Sequence, residues 1–162
     1  MMASAAGSVP AGSVAPVTLS AFRWPVTLGG GALCELVASL WVGSTAGLVL
    51  LIAGYALLIC FAARNLAITG SVLVIAGLLA NLTVMAVDGG MPVRGVPAAS
   101  GFGPRHHADR PGDHLVALGD VISVSPLGEV FSAGDLLLGA GVATMLVAVA
   151  VPNRRRASRA ID

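Results

Sequence analysis

The sequence contains little charge. Only 10% of its 162 residues are Asp, Glu, Lys or Arg, against roughly 25% in an ordinary soluble domain. Hydrophobic residues make up 56% of the chain. This composition argues against a soluble domain and indicates an integral membrane protein, so the lipid bilayer is the first partner that we expect.

Lysine is absent, and all nine basic residues are Arg. Because no basic stripe interleaved with aromatic residues occurs, we expect no nucleic-acid partner.

Cysteine is also scarce. Cys34 and Cys60 both lie within apolar runs, which is typical of small buried side chains and not of a disulfide framework or a metal motif.

Four long apolar runs account for this composition. Each approaches the ~20 residues that a helix needs to cross a ~30 Å hydrocarbon core. We therefore predict an all-α fold, a four-span transmembrane helical bundle with a long outer loop between spans three and four. The predicted spans are 24–42, 45–63, 66–87 and 131–151. The first is the weakest, since it contains Pro25, three glycines and Glu35.

The links after spans one and two are very short, so we expect spans one to three to form tight antiparallel hairpins. Small residues recur within the spans and should let the helices approach closely. They are Gly29, Gly30, Gly31, Gly54, Gly70, Gly77, Gly139 and Gly141.

Arginine predicts the orientation. Arg23, Arg64 and the four Arg of the C-terminal tail fall on one side of four spans, which the positive-inside rule makes the cytoplasmic side. The intervening loop has three Arg but also four Asp and one Glu. We expect a multi-pass protein of the plasma membrane with both termini in the cytoplasm.

Three regions follow from this assignment. Residues 1–22 are rich in small residues, Pro and Gly, and lack the charged and apolar regions of a signal peptide, so we expect a disordered tail or a misplaced translation start. Residues 23–152 form the transmembrane domain, with the outer loop at 88–130. Residues 153–162 form a basic cytoplasmic tail.

The outer loop contains an apolar segment, HLVALGDVISV at 114–124. It is too short to span the bilayer, and we expect an interfacial or re-entrant segment resting on the bundle. That placement would bring Asp120 near the start of span four. The Gly- and Pro-rich first half of the loop predicts turns and no long helix.

Asp135, about one turn into span four, has two interpretations. Ser132 and Asp135 fit the [ST]-x-x-[DE] capping box, in which each side chain bonds to the other's backbone. Alternatively, Asp135 faces Asp120 across a wet cavity. Two carboxylates within a few ångströms cannot both ionise easily, so one would act as general acid while the other activates water. Asp120 could equally be a solvated loop residue.

Two polar residues lie inside the predicted spans. Asn81 is expected to hydrogen-bond to a neighbouring helix, or to orient a catalytic Asp. Glu35 is either neutral and hydrogen-bonded within the bundle or part of a proton or ion path. The residues do not decide between these alternatives.

The string HHADRPGDH at 106–114 is rich in His and Asp. It matches no known spacing of zinc ligands, and Arg105 and Arg110 oppose a bound cation. We therefore expect no metal, and nothing in the sequence indicates a cofactor.

Three segments resemble a family of bacterial membrane proteins catalogued as domain of unknown function 5317. They are NLTVMAVDGGMPV at 81–93, LGDVI at 118–122 and VFSAGDLLLGAGV at 130–142. The resemblance covers the chain from about 23 to 151. It implies four spans and no particular activity.

A fainter resemblance is to the lipoprotein signal peptidases, four-span aspartyl proteases whose active site lies at the outer membrane face. Gly119-Asp120-Val121 and the segment 131–135, FSAGD, are similar to their two aspartate motifs in order and place. This resemblance implies an Asp120/Asp135 dyad, with Asn81 in a supporting position. Ser132 stands where that family has Asn. Val84 and Met85 stand where it has Asp and Arg.

Three functions remain open at this point. The first is a small helical-bundle structural or interaction subunit with a polar outer-face site, whose partner would be a membrane protein. The second is an aspartyl intramembrane hydrolase acting on a lipid-embedded substrate through Asp120 and Asp135, so the sequence leaves open whether the protein is an enzyme. The third is a small transporter using Glu35 and Asn81, which the lack of broken-helix repeats disfavours. The sequence does not indicate the oligomeric state.

Overall fold

Four helices make up most of the structure. The computed structural model describes residues 19–41, 43–95, 105–124 and 129–151. Most of the predicted N-terminal tail and the whole basic tail at 153–162 lie outside these residues. The helices are α1, Pro25–Leu40; α2, Thr45–Arg64; α3, Ser71–Asp88; and α4, Ala133–Ala150. Short 3-10 turns occupy Leu19–Ala21 and Val116–Leu118.

Three of these helices are long and apolar enough to cross a membrane, namely α2, α3 and α4. The prediction of a mostly helical chain with membrane-spanning helices is confirmed to that extent. Helix α1 has 16 residues, and at 1.5 Å per residue it is only ~24 Å long. It is therefore shorter than the hydrocarbon core that a perpendicular helix must cross.

Helix α3 begins five residues later than the predicted third span. The apolar residues 66–70 form turns instead of helix. Ile68 N–H donates to the Asn65 carbonyl at 2.8 Å, and Ser71 N–H donates to the Ile68 carbonyl at 3.2 Å. Gly70, at φ 104°, then turns the chain into α3. Apolar composition alone does not distinguish such a turn from helix, because the turn follows from backbone hydrogen bonds and from Gly70.

Helices α1 and α2 form one antiparallel pair and α3 and α4 form another, and the two pairs meet where α2 packs on α3. Glycines make these close approaches possible. A Cβ on Gly77 would overlap the backbone of α4 at Gly134 and Leu138, and a Cβ on Gly70 would overlap the Gly141 carbonyl. The predicted role of small residues in packing is confirmed for Gly70, Gly77 and Gly141.

Glycine also allows the two helices of the first pair, α1 and α2, to pack closely. A Cβ on Gly31 would collide with the Leu58 side chain and approach the Gly54 carbonyl. Gly29 and Gly139, in contrast, have no atom within 4 Å of where a Cβ would lie. The prediction that Gly29 and Gly139 serve helix packing is therefore wrong for contacts within the described part of the chain.

The core lies between the two helix pairs. Its buried members are Phe61, Ala62, Val74, Leu78 and Met145. Large apolar side chains also cover the outer faces of the helices, where they are exposed, and Val72 and Val147 are more than 60% accessible. Such faces are costly in water and favourable in lipid, as expected for membrane-embedded helices.

Two small sheets cover one end of the bundle. Strands β1, Met91–Val93, and β2, His106–Ala108, are parallel, with Met91 opposite His106. Strands β3, Ile122–Val124, and β4, Glu129–Phe131, are antiparallel, with Ile122 opposite Phe131. We call the described residues 89–95, 105–124 and 129–131 the cap. The bundle end beneath it is the cap end.

The all-α prediction missed these strands. Each has only three residues, which is too short to show the alternation that identifies a strand in sequence. The segment 114–124 is not one apolar element either. It contains the 3-10 turn at Val116–Leu118 and then β3, and Asp120 forms a parallel bridge to Val93 between them.

Candidate functional site

Ser132 and Asp135 begin α4 at the cap end. The Asp135 N–H donates to Ser132 Oγ at 2.9 Å, and the Ser132 N–H donates to Asp135 Oδ2 at 3.0 Å. The predicted capping box is therefore confirmed. It supplies two helix N–H groups with acceptors and places a carboxylate at the positive end of the helix dipole.

Asn81 ties this helix start to α3. Its Nδ2 donates to Asp135 Oδ1 at 2.7 Å, and its Oδ1 accepts from Ser132 Oγ at 3.0 Å. Asn81 and Ser132 are both buried. The predicted interhelical hydrogen bond is confirmed, and the partner is the candidate Asp135 itself. Through this contact Asn81 both links the two helices and positions the Asp135 side chain, and whether Asp135 is catalytic stays a prediction.

Gly134 makes this contact possible. A Cβ at position 134 would overlap Asn81 Oδ1 and lie about 3.0 Å from the Gly77 carbonyl oxygen. The sequence analysis did not single out Gly134. Its position in FSAGD, between the cap serine and the aspartate, is the signal that could have identified it. Asn81, Ser132 and Asp135 therefore form a continuous polar link between α3 and α4, and Gly134 leaves the space for it.

Asp120 belongs to the cap, and only 6% of it is exposed. Its backbone joins the end of β1, since Asp120 N–H donates to the Pro92 carbonyl at 2.9 Å and Arg94 N–H donates to the Asp120 carbonyl at 2.9 Å. Its Oδ2 lies 3.3 Å from His106 Nε2. Its Oδ1 is buried without a hydrogen-bond partner among the described residues.

Asp120 and Asp135 therefore have different partners. Asp120 Oδ2 lies beside His106 Nε2, whereas Asp135 accepts hydrogen bonds from Asn81 and Ser132. The catalytic dyad stays a prediction, and the contacts within the described residues supply no link between the two carboxylates.

Glu35 pairs with the cap. Arg105 Nη1 lies 3.3 Å from Glu35 Oε2, and both side chains are mostly buried, with 19% of the Arg105 side chain and 27% of the Glu35 side chain accessible. Glu35 Oε1 and Arg105 Nη2 are each buried without a hydrogen-bond partner in the described part of the chain. A Cβ at Gly54 would overlap Glu35 Oε1, so this glycine makes room for the carboxylate.

Tyr55 lies near both polar groups. It is partly buried and packs against the core, and its hydroxyl lies within electrostatic reach of Glu35, Asp135 and Arg105. The sequence analysis missed Tyr55 and the pairing of Arg105. A lone Tyr in an apolar run gives no sign of its neighbours, because those neighbours come from three other segments.

Asp88 fastens the cap to the end of α3. Its Oδ1 accepts from His114 N–H at 2.7 Å and its Oδ2 accepts from Leu115 N–H at 2.9 Å, while none of its side chain is accessible. Gly89, at φ 69°, ends the helix in the left-handed conformation that glycine adopts most easily. The sequence analysis missed this role, although VDGGMPV follows the last turn of a span and signals a helix end.

The histidine-rich string forms polar contacts within the cap. His107 Nδ1 lies 3.7 Å from Asp113 Oδ2, and Arg110 Nη2 lies 2.9 Å from His107 Nε2. Within the described ranges, no group of three or more His, Cys, Asp or Glu side chains is placed to hold a metal ion. The acidic side chains of the string pair instead with nearby basic side chains.

The opposite end of the bundle has its own polar link. Asn65 is buried, and its side chain accepts from Arg23 N–H at 2.8 Å and donates to the Arg23 carbonyl at 2.9 Å. The Arg64 guanidinium lies 4.2 Å from the centre of the Trp24 ring. Trp24 has φ 57°, which bulky residues rarely adopt, and these contacts hold it there.

Residues 21–147 match the family described as "Family of unknown function (DUF5317)". No curated protein matches the chain, and no solved structure matches it. The matched region includes α1, α2, α3, the cap and most of α4, and with them every polar contact described above. The family resemblance drawn from the segments 81–93, 118–122 and 130–142 is confirmed, and the chain belongs to this family of unknown function.

Proposed function

We propose that the protein is a four-span, multi-pass subunit of the plasma membrane that acts without catalysis, and that its cap is an outward-facing surface for another membrane protein. The observation that carries this proposal is the use of the polar side chains at the cap end. Asn81, Ser132, Asp135 and Asp88 all hold helices and cap together. Such contacts stabilise a rigid surface, and they explain these polar side chains without a catalytic role.

The contacts at both ends of α1 support four spans. Before α1, Arg23 bonds to Asn65 just after the end of α2. After α1, the Trp41 carbonyl lies against Gly47 in the first turn of α2. The segment 23–41 therefore runs alongside the whole of a 20-residue helix that is long enough to cross the bilayer. With its flanking residues, α1 covers the same depth.

The orientation rests on charge. Arg23 and Arg64 lie at the end of the bundle opposite the cap, and the four Arg of the C-terminal tail follow α4, which ends there. Basic residues next to spans favour the cytoplasmic side. This distribution supports a cytoplasmic location for both termini and an extracytoplasmic location for the cap.

Single cysteines test this topology. In a chain with Cys34 and Cys60 replaced by Ala, a membrane-impermeant maleimide applied to intact cells should label Ser123→Cys in the cap. It should label Thr69→Cys, in the link between α2 and α3, only after permeabilisation. Ala21→Cys tests α1, and it should behave as Thr69→Cys does. Labelling of Ala21→Cys in intact cells would show that α1 does not cross.

Site-specific cross-linking tests the interaction role. A photoreactive residue at His114 or Ser123, which are exposed on the cap, should give one discrete cross-linked species in living cells. The same residue at Thr69, at the opposite end, is the matched control and should not give that species. The absence of any adduct from both cap positions would contradict a docking role for the cap.

The alternative function is the aspartyl intramembrane hydrolase with an Asp120/Asp135 dyad and a lipid-embedded substrate. One observation favours it, namely the buried Asp120 Oδ1 without a partner in the described residues. A shared water would have to lie within hydrogen-bond reach of both carboxylates, and their present partners are different. The interaction subunit is therefore the better supported function.

Asp120→Asn and Asp135→Asn separate the two functions. Both variants keep the size of the side chain. Asp135→Asn replaces one of the two oxygens that accept from Asn81 and Ser132 with an NH2 group, so we expect it to lose some stability, and the membrane level of each variant is measured before phenotypes are compared. In cells whose own copy is deleted, each variant should restore the phenotype if the protein is not a catalyst. Loss of the phenotype in both variants at normal protein level would favour the hydrolase.

A further inference from the structure

A cavity of about 480 Å³ opens at the cap end, between the start of α2, the end of α3 and the cap. This volume lies within the range of roughly 300–1,000 Å³ that is usual for small-molecule sites. Its walls are of two kinds. Leu48, Leu51 and Met85 provide apolar surface, whereas Thr45 and Arg105 provide polar surface.

Among the described residues that line the cavity, Arg105 is the one that carries a charge. Glu35 engages its Nη1 at 3.3 Å, but Nη2 has no hydrogen-bond partner among the described residues. A guanidinium carries five N–H donors in a planar fork that suits the oxygens of a phosphate. Nη2 itself is enclosed by protein, but 19% of the Arg105 side chain is accessible, and this part can approach an anionic ligand in the cavity.

The start of α2 adds a second source of positive potential. Thr45 is its first residue, and the first N–H groups of a helix lack intrahelical acceptors. Ser44 Oγ accepts from Gly47 N–H, which leaves the N–H groups of the first turn before Gly47 for another acceptor. The helix dipole and Arg105 thus favour negative charge on the same side of the cavity.

The level of the cavity along the helices favours a membrane lipid as the source of the anion. The cavity lies where α2 begins and α3 ends, and both helices are long and apolar enough to span a bilayer. The ends of such helices lie at the level of the lipid headgroups. Leu48 is exposed on the outer surface of α2, so the apolar wall continues onto the surface that faces the lipid chains.

We propose that this cavity binds the headgroup of an anionic phospholipid, with the phosphate beside Arg105 and the first turn of α2 and an acyl chain along Leu48 and Met85. The proposal uses the membrane-spanning part of the proposed function and adds a ligand to it.

Native mass spectrometry of the detergent-purified full chain tests the proposal, with phosphatidylglycerol and phosphatidylcholine as probes. Wild-type protein should retain phosphatidylglycerol more tightly than phosphatidylcholine. Arg105→Gln should weaken phosphatidylglycerol binding by about tenfold, the usual effect of removing a charged hydrogen-bond donor. Arg94→Gln, which removes an exposed cap Arg outside the cavity, is the matched control and should bind as wild type does.

A second variant keeps the Glu35–Arg105 pair intact. Thr45→Asp puts an acid in the first turn of α2, where it suits the helix dipole, so the fold should be preserved while the bound anion is repelled. Ser123→Asp places the same charge on the exposed cap as a control. Thr45→Asp should weaken phosphatidylglycerol binding several-fold relative to Ser123→Asp. Equal binding by these two variants would overturn the proposal.

Two further outcomes would also overturn it. If phosphatidylcholine binds as tightly as phosphatidylglycerol, the cavity does not select negative charge. If glycerol phosphate alone displaces the lipid at similar concentration, the ligand is a soluble phosphate and not a lipid. The cysteine-labelling pattern is independent of these outcomes, so the membrane topology and the lipid site can fail separately.

Discussion

The Asn81 carboxamide donates a 2.7 Å hydrogen bond to the Asp135 carboxylate, across 54 residues of sequence. This bond joins α3 to α4 at the point where the cap meets the bundle. The same amide accepts from Ser132 Oγ, so one buried side chain serves both members of the capping box. Several measurable consequences arise from this arrangement.

Asn81→Ala removes both bonds and should lower the free energy of unfolding by about 1–2 kcal/mol, because Asp135 Oδ1 and the Ser132 hydroxyl lose their buried partner. Unfolding in mixed micelles by denaturing detergent measures the change. Thr83→Ala is the control. Its hydroxyl bonds only to the Leu79 carbonyl of its own helix and is exposed, so its loss should change stability by less than about 0.5 kcal/mol. Equal effects of the two substitutions would contradict the structural role of Asn81.

Gly134→Ala and Gly139→Ala form a matched pair on one helix. The first Cβ would overlap Asn81 Oδ1, whereas the second meets no atom within 4 Å. We expect Gly134→Ala to destabilise the protein by about 2 kcal/mol or more, the usual scale of overpacking, and Gly139→Ala to be neutral or stabilising. The same detergent unfolding measurement applies, and a similar cost for both would mean that α4 does not pack on Asn81 as described.

Asp88→Ala should loosen the cap without unfolding the bundle. It removes the acceptors of His114 and Leu115 N–H. Hydrogen exchange of these two amides should accelerate by about tenfold, which corresponds to ~1.4 kcal/mol of local stability. Asp109→Ala is the control, because Asp109 pairs with the largely exposed Arg94 and exposed ion pairs contribute little.

Glu35 and Arg105 should show coupling in a double-mutant cycle. Each Gln substitution alone leaves the other buried charge without its partner, so Glu35→Gln and Arg105→Gln together should cost less than the sum of the two. We expect a coupling of about 1 kcal/mol, reduced from the value for fully buried pairs because both side chains are partly accessible. Additive effects would show that the pair does not hold the cap on α1.

Much of the helical part of the fold could be predicted from sequence. Runs of about 20 apolar residues have few structural options in lipid. The predicted start of α2 is the observed one, and the predicted end falls one residue short. The capping box was predictable because it is a local pattern of two side chains three residues apart. The turns at 66–70 and the cap strands were not, because their geometry depends on contacts with segments far away in sequence.

Composition and local pattern are enough to show that the chain is apolar enough for a membrane, that it is mostly helical, and that Ser132 and Asp135 begin a helix. Each of these depends on composition or on neighbours within a few residues. Which polar groups meet depends on how the helices and the cap pack in three dimensions. This packing pairs Asn81 with Asp135, Glu35 with Arg105 and Asp120 with His106, because a buried polar group must find a partner wherever the packed helices bring one within reach.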